Sequence, residues 1–542
     1  MSELNLAQIH EAVATVVPER ECIVHRSRRL SYAEVSERSR RLANVLRVNG
    51  LGLHTPRSEL ANHESGQDHV ALYLYNGPEY LESMLGCFKA RAVPFNVNYR
   101  YVEEELLYLL EDASARALIY HADFAEMVAE LRREFPDLLL IQVDDGKGTE
   151  LLDGALDYEQ ALSQAGAEQP ELEYSPDDLY ILYTGGTTGM PKGVLWRQAD
   201  VFVAALGGRN RKGEEVEELT ALVERARREP TRVLPPPPMM HGAAHWVAFH
   251  TFHSGGTVVI QDEVRRFDPE DVLKVVARER VEGLLLVGDA FGRPLIEALE
   301  QSELELPSLR AVTNSGAPLS ADLKQRWMRR IPGLMVVDAI GSSESGQQGV
   351  NVSAGGEAQT GKFALSHSAR VLSADLSRVL GPGDDELGWL AQGGRVPLGY
   401  LGDAEKTART FPVIDGVRYS VPGDRARLTT EGGVEVLGRD SVTINSGGEK
   451  IFAEEVEAAL KLHPAVYDAI VCGRPSERWG QEVCAVIELR PGASAGADEI
   501  GAEASKHVAR YKLPKAYFFR ERIERSPSGK PDYRWAKAQV GG

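Results

Sequence analysis

Short apolar runs alternate with amphipathic segments through most of this chain, and that alternation is the strongest constraint on its fold. "VALYLY", "ARALIYH", "LLLIQV", "GTVVIQ", "GLLLVG" and "LRAVTNSG" have the length and side-chain content of buried strands. Between them lie segments with apolar residues at helical spacing, such as "SYAEVSERSRRLANVLRV" and "PEDVLKVVARERV". Strands joined through helices pair in parallel, so the pattern predicts an α/β fold with largely parallel sheets. Asn76-Gly77-Pro78 supplies a turn after "VALYLY". Two segments break the rhythm. "LGLHTPRSELANHESGQDH" is polar and aperiodic, which predicts a loop, and "RKGEEVEELTALVERARREP" is charged at helical spacing, which predicts an exposed helix. The run "PPPP" at 235–238 reads as a rigid turn rather than a polyproline ligand, because it sits between an apolar strand start and "MMHGAAHW".

At 542 residues the chain is too long for one core. Its organisation changes near "EVLGRDSVTINSGGEKIFAEEVEAAL", where a strand, a Gly-Arg-Asp turn, a Gly-Gly loop and a helix follow in quick succession. That predicts a large domain over 1–437, a hinge over 438–442 and a small, mobile α+β domain over 443–542. The formal net charge of -19 argues against nucleic acid, whose phosphates need a basic surface. No apolar run approaches the ~20 residues of a membrane-spanning helix. The start "MSELNLAQIHEAVATVV" has helical spacing instead of a signal pattern, so a cytoplasmic location is expected. Cys22, Cys87, Cys472 and Cys484 are scattered, with no CxxC, and read as buried free thiols.

The segment "LYTGGTTGMPKGVLW" concentrates four glycines, three threonines and one lysine at the end of an apolar strand. Glycines let backbone amides converge on one point, and hydroxyls and an ammonium add donors, so the composition is that of a phosphate cradle. It is not a Walker loop, because Lys192 stands between Pro191 and Gly193 instead of between a Gly and a Ser or Thr.

This loop has company in a recognisable order. "TGGTTGMPKG", "SGAPLS" at 315–320, "IGSSE" at 340–344, "PGDRARL", "LGRDSVTINSGGEKIFAEEVE" and "RSPSGKPDYRW" together resemble the adenylate-forming superfamily of acyl- and aryl-CoA synthetases, luciferases and adenylation domains. "LSYAEV" and "KARAVPFNVN" fit the same pattern, and the resemblance runs over essentially the whole chain. It implies a large adenylate-forming domain of layered sheets and helices under a small C-terminal lid. It also implies ATP, Mg²⁺ and CoA as cofactors, with a small-molecule carboxylic acid as substrate, and is compatible with a homodimer.

The reaction so implied explains the residue types. A carboxylate resists attack by a thiol because oxide is a poor leaving group, so the acid is first joined to AMP. Chemistry at phosphorus then asks the protein for positioning and charge neutralisation. The resemblance assigns Thr184, Gly185, Gly186, Thr187, Thr188, Gly189 and Lys192 to the phosphates, with Thr188 counted among the catalytic residues. It assigns Ser315, Gly316, Ala317, Pro318, Gly341, Ser342 and Ser343 to the adenine side, Asp424 and Arg439 to the ribose and hinge, and Gly447 and Gly448 to the passage of the thiol. Glu344 would bring Mg²⁺, a hard ion suited to carboxylate and phosphate oxygens. Lys530 would stabilise charge at the α-phosphate. Alone, Glu344 and Lys530 would read as solvated surface charges and Asp424 as a turn residue; the ordered set gives them their meaning.

Departures from the family pattern mark Ile340, where the family keeps an aromatic residue on adenine, Ser343 in place of threonine, and Val442 at the hinge position, which sets Asp440 aside. In "HGAAHW", His241 would stand at the carboxylate channel together with Gly316 and Gly341, while His245 reads either as pocket lining or as a structural histidine. No acidic residue lies between His241 and Gly256, so nothing there would pair with a substrate ammonium and amino acids are disfavoured. "GVLWRQAD", "VGDAFGRPL" and "SPSGKPDYRWAK" resemble actinobacterial synthetases acting on steroid side-chain carboxylates and related long or branched acids.

Overall fold

All six predicted strands form, and they fall into two separate sheets. The computed structural model describes residues 3–541 except 145, 185–189, 211, 229, 447, 448, 477 and 527. One sheet is wholly parallel, in the order Val93–Asn96, His69–Tyr73, Ala115–His121, Leu139–Val143 and Leu156–Asp157. The large sheet is parallel from Glu21–His25 through Thr257–Ile260, Arg232–Leu234, Gly283–Leu286 and Ala311–Ser315 to Met335–Ser342.

Beyond Ser342 the large sheet turns antiparallel, which corrects the expectation of largely parallel sheets. The cause is local. Gly346 takes the left-handed conformation (φ +66°) and folds strand Gly346–Ser353 straight back, and a connection without a helix admits only an antiparallel partner.

Helices begin where the sequence supplies caps. In "LSYAEV", the Ser31 hydroxyl accepts from the Glu34 amide while the Glu34 carboxylate accepts from the Ser31 amide, opening helix Tyr32–Val48. Asp268 caps helix Pro269–Arg278 through the Glu270 and Asp271 amides. The helix expected in "RKGEEVEELTALVERARREP" is confined to Leu219–Ala226, and it is not exposed all round. Leu222 and Ala226, four residues apart, are fully buried in the same core as helix Leu6–Val16. Pro235, Pro236 and Pro237 of the proline run are buried, and the run acts as a fixed corner. Asn76 Nδ2 donates to the Pro237 carbonyl at 3.0 Å and its Oδ1 accepts from the Met239 amide at 2.7 Å, so the Asn76 turn holds the segment leading to His241.

The large sheet's strand Val434–Arg439 runs into a short turn, Asp440–Val442. There the Asp440 amide still donates to the Gly423 carbonyl at 3.0 Å, whereas Val442 packs on a separate apolar core. That core belongs to a five-stranded mixed sheet built from Ile444–Ser446, Glu449–Ile451, Val466–Ser476, Gly480–Leu489 and Ala516–Arg520. All four cysteines are buried and free. Among the described residues no helix is long and apolar enough to cross a membrane.

Candidate functional site

Open α/β sheets present loops at the carboxyl ends of their parallel strands. Here strand Ala311–Ser315 ends at Gly316, strand Met335–Ser342 ends at the Glu344 turn, and strand Arg232–Leu234 leads through the prolines to His241. The C-terminal domain adds Lys530 from the opposite side. Gly316 is left-handed (φ +84°), and a Cβ placed there would lie 3.5 Å from Lys530 Cε. Glycine therefore permits the turn, and the lysine stem packs within contact distance of it.

Lys530 is carried on a tight loop. The Ser526 amide donates to the Lys530 carbonyl at 2.9 Å, and the Lys530 amide donates to Ser526 Oγ at 3.1 Å. Behind the loop, Arg525 makes a two-pronged pair with Asp468 at 2.6 and 2.7 Å and donates to the Gly529 carbonyl at 3.1 Å. Gly529 is also left-handed (φ +77°), and a Cβ there would meet the Val287 carbonyl at 3.1 Å and Ala290 and Phe291 at 3.2 Å.

The Glu344 turn is fixed from both sides. Gly341 has no room for a side chain, since a Cβ would overlap the Gly346 carbonyl. Ser345 Oγ accepts from the Ser342 amide at 3.0 Å, and Ser342 Oγ accepts from the Glu344 amide at 3.2 Å. The buried Trp196 donates from Nε1 to the Ser343 carbonyl at 2.9 Å, and Ser420 Oγ donates to the Glu344 carbonyl at 2.5 Å. Tyr400 OH donates to one carboxylate oxygen, Glu344 Oε1, at 2.9 Å. Among the described residues no three His, Cys, Asp or Glu side chains cluster as a metal cage. One oriented carboxylate suits Mg²⁺, which takes few protein ligands and completes its shell with phosphate oxygens and water.

Asp424 and Arg439 face each other directly across two antiparallel strands, with Arg439 Nε 3.2 Å from Asp424 Oδ1. Asp424 raises the Arg439 pKa against the effect of burial, with Glu344 adding to the rise. Lys530 shifts the other way. Desolvation in the cleft lowers its pKa first, and the Arg439 guanidinium second, against the attraction of Glu344 and Asp424. Lys530 keeps solvent contact, so this is the dryness of a cleft and not of a core. His241 lies within the field of Lys530. Desolvation, then Lys530, His245 and Arg100 bring its pKa down to about 3, so it is neutral, and its buried Nε2 has no partner among the described residues.

Thus Gly316, Lys530, His241, Glu344, Asp424 and Arg439 come together from both domains. Ser315, Ala317 and Pro318 flank Gly316, and the Asn314 side chain holds that loop by donating to the Ala317 carbonyl at 2.9 Å. Ile340 packs against the apolar cluster of Val371, Leu380, Leu390, Ala426 and Val434. Thr184 ends strand Leu179–Thr184, directly opposite Lys192. Lys192 is 3.4 Å from Asp112, and burial notwithstanding, Tyr108 and Asp112 hold its pKa above the usual lysine value. Gly185, Gly186, Thr187, Thr188, Gly189, Gly447 and Gly448 lie outside the described residues.

His245 is structural. Its Nδ1 contacts the Met239 carbonyl at 2.7 Å, which leaves Nε2 to accept from Tyr180 OH, itself accepting from Trp246 Nε1 at 2.7 Å. Desolvation brings the His245 pKa down to about 4. Among the contributors that escape the sequence are Tyr400, Ser420, Lys406, whose ammonium lies 4.1 Å from the Tyr400 ring centroid, and Gly529. Of these four, Gly529, within "SPSGKP", carried a signal, as a glycine in a turn beside the lysine.

Residues 10–395 match the AMP-binding enzyme family and residues 455–530 the AMP-binding enzyme C-terminal domain. The medium-chain acyl-CoA ligase Mig of Mycobacterium avium is 55% identical over 535 residues, covering 98% of this chain and 97% of the relative. The 3-oxocholest-4-en-26-oate–CoA ligase of Rhodococcus rhodochrous is 41% identical over 550 residues, covering 99% and 96%. The crystal structure of anthranilate CoA ligase AuaEII with anthranoyl-AMP shares the fold, with a TM-score of 0.83 at 20% identity over 100% of this chain and 98% of that one. A match of this extent, with relatives this similar from end to end, places the chain in the AMP-binding enzyme family.

Proposed function

We propose that this chain is an AMP-forming acid–thiol ligase that converts an apolar carboxylic acid, fatty or steroid side-chain, to its CoA thioester. It uses ATP, Mg²⁺ and CoA and releases AMP and pyrophosphate. The observation that carries this reading is the arrival of Lys530, from the C-terminal domain, against Gly316 and within the fields of Glu344, Asp424 and Arg439.

In the first half-reaction a carboxylate oxygen bonds to the α-phosphorus of ATP, and pyrophosphate leaves with the electron pair of the broken P–O bond. Negative charge gathers at the α-phosphate, and Lys530, held at the cleft by its loop against Gly316, supplies a cation for it. Asp424 would accept from the ribose hydroxyls with Arg439 beside it, and Glu344 would hold Mg²⁺, which neutralises phosphate charge when bound. Neutral His241 stands by the acid without adding a second positive charge to Lys530. In the second half-reaction the CoA thiolate bonds to the acyl carbon and AMP departs. That step needs Lys530 withdrawn and a path for the pantetheine arm, so the small domain rotates about the hinge at 438–442, between domains spanning 1–437 and 443–542.

The acyl class rests on the absent ammonium partner after His241 and on the relatives' names, one given for medium-chain acids and one for a steroid acid. The test is kcat/KM for decanoate, palmitate, 3-oxocholest-4-en-26-oate, benzoate and an α-amino acid, with ATP, Mg²⁺ and CoA. An apolar acid should lead. Preference for the amino acid overturns the substrate class, adenylate without thioester points to transfer onto a carrier protein, and no ATP–pyrophosphate exchange with any acid overturns the enzyme reading.

A further inference from the structure

Helix Gly288–Glu300 grows out of the segment "VGDAFGRPL", and its first turn is the floor on which Gly529 rests. Asp289, Arg293 and Glu297 stand four residues apart on it, so they share one face. All three meet the C-terminal domain. Lys461 Nζ is 3.6 Å from Asp289 Oδ2, the Arg293 guanidinium lies 5.4 Å from the Tyr467 ring centroid, and Arg490 Nη1 is 3.4 Å from Glu297 Oε1. A negative–positive–negative row thus faces a cation, an aromatic ring and a second cation.

We propose that Asp289, Arg293 and Glu297 form a releasable docking row, which holds the C-terminal domain where Lys530 reaches Gly316 and is vacated when that domain turns. They are positioning residues, acting through Lys530, and the inference rests on the domain rotation proposed above. Releasability follows from the second partner that each charge keeps inside its own domain. Asp289 retains Arg293 at 3.4 Å and the Ser320 amide at 2.8 Å. Glu297 retains Arg326 at 3.8 Å. On the departing side Lys461 stays in the fields of Glu457 and Asp468, and Arg490 keeps its bond to the Pro464 carbonyl at 3.0 Å. A buried charge stripped of every partner is heavily penalised; here separation strips none. By contrast, the Arg525–Asp468 pair lies wholly within the C-terminal domain and travels with Lys530.

Two half-reactions are measured separately in Lys461→Ala, Arg490→Ala and Lys461→Arg, using the panel acid of highest wild-type kcat/KM. ATP–pyrophosphate exchange should fall about ten-fold in Lys461→Ala, whose ion pair is mostly buried, and about three-fold in Arg490→Ala, whose pair is more exposed. Thioester formation from supplied acyl-adenylate and CoA should be unchanged or faster, and Lys461→Arg should retain exchange. Equal loss in both half-reactions, or loss in neither, overturns the docking row. The rotation itself is read independently from spin labels at Glu104→Cys and Lys506→Cys, both surface positions, in otherwise wild-type protein. If their separation differs between the ATP-plus-acid and the AMP-plus-CoA states while the variants show no split, only the docking row fails. If it does not differ, the rotation fails as well.

Discussion

Two side chains carry most of the residue-scale consequences. Replacing Lys530 with Ala removes a preorganised cation and should slow adenylation by roughly 10²–10³. Thioester formation from supplied acyl-adenylate should suffer much less, and equal loss in both would contradict the role. Because desolvation and Arg439 lower the Lys530 pKa, the pyrophosphate-exchange rate should fall on the alkaline side below the usual lysine range. Lys530→Arg, which stays protonated throughout, should lack that limb. Glu454 opens helix Ala453–Leu460 beside the hinge and crowds Gly438. Desolvation first, then Glu457 and Asp424, raise its pKa from 4.5 to about 7 against hydrogen bonds from the backbone. A raised carboxyl binds its proton more tightly when folded, so its contribution to stability is complete below 4.5 and lost as pH rises through about 7. Glu454→Gln, which cannot ionise, should therefore stabilise the protein by about 1–3 kcal/mol at pH 8 and hardly at pH 5, read from denaturant unfolding at the two pH values.

At the scale of elements, the Lys530 loop and helix Gly288–Glu300 fit without spare room. A Cβ at Gly529 would need both a left-handed backbone and space 3.1 Å from the Val287 carbonyl. Gly529→Ala should cost about 1–2 kcal/mol of strain and displace Lys530, lowering pyrophosphate exchange about ten-fold. Thioester formation from acyl-adenylate, which does not use that placement, should hold; parallel loss would show that the loop serves both steps. Element identities were readable because each carries its own signal: a six-residue apolar run for a strand, the Ser31–Glu34 box for a helix start. The same reading failed on "RKGEEVEELTALVERARREP", where dense charge concealed the Leu222–Ala226 stripe that buries the helix against Leu6–Val16.

For the whole molecule, the turn Asp440–Val442 is where backbone pairing to Gly423 gives way to packing on the C-terminal core. A proline fits the φ of such a turn yet freezes it. Val442→Pro should therefore leave pyrophosphate exchange largely intact and impair thioester formation, as rotation out of the Lys530-bound arrangement is hindered. Native rates in both steps would exclude Val442 as a pivot.

The sequence alone determined the alternation of strand and helix, the passage from a large to a small domain, the net negative charge and the family, because periodicity, charge and motif order are local properties of the chain. It also named Gly316, Glu344, Asp424 and Lys530, whose spacing along the chain exceeds any local rule and which resemblance alone linked. Tertiary structure decided the rest. Whether His245 lines a pocket or holds the core depended on Tyr180 and Met239, which fold beside it from other elements. Tyr400 and Ser420 reached Glu344 from more than fifty residues away, and no periodicity records such a meeting. The facing of Asp289, Arg293 and Glu297 toward Lys461, Tyr467 and Arg490 likewise exists only once two independently built domains dock, because complementarity between surfaces is a property of their relative placement and not of either sequence segment.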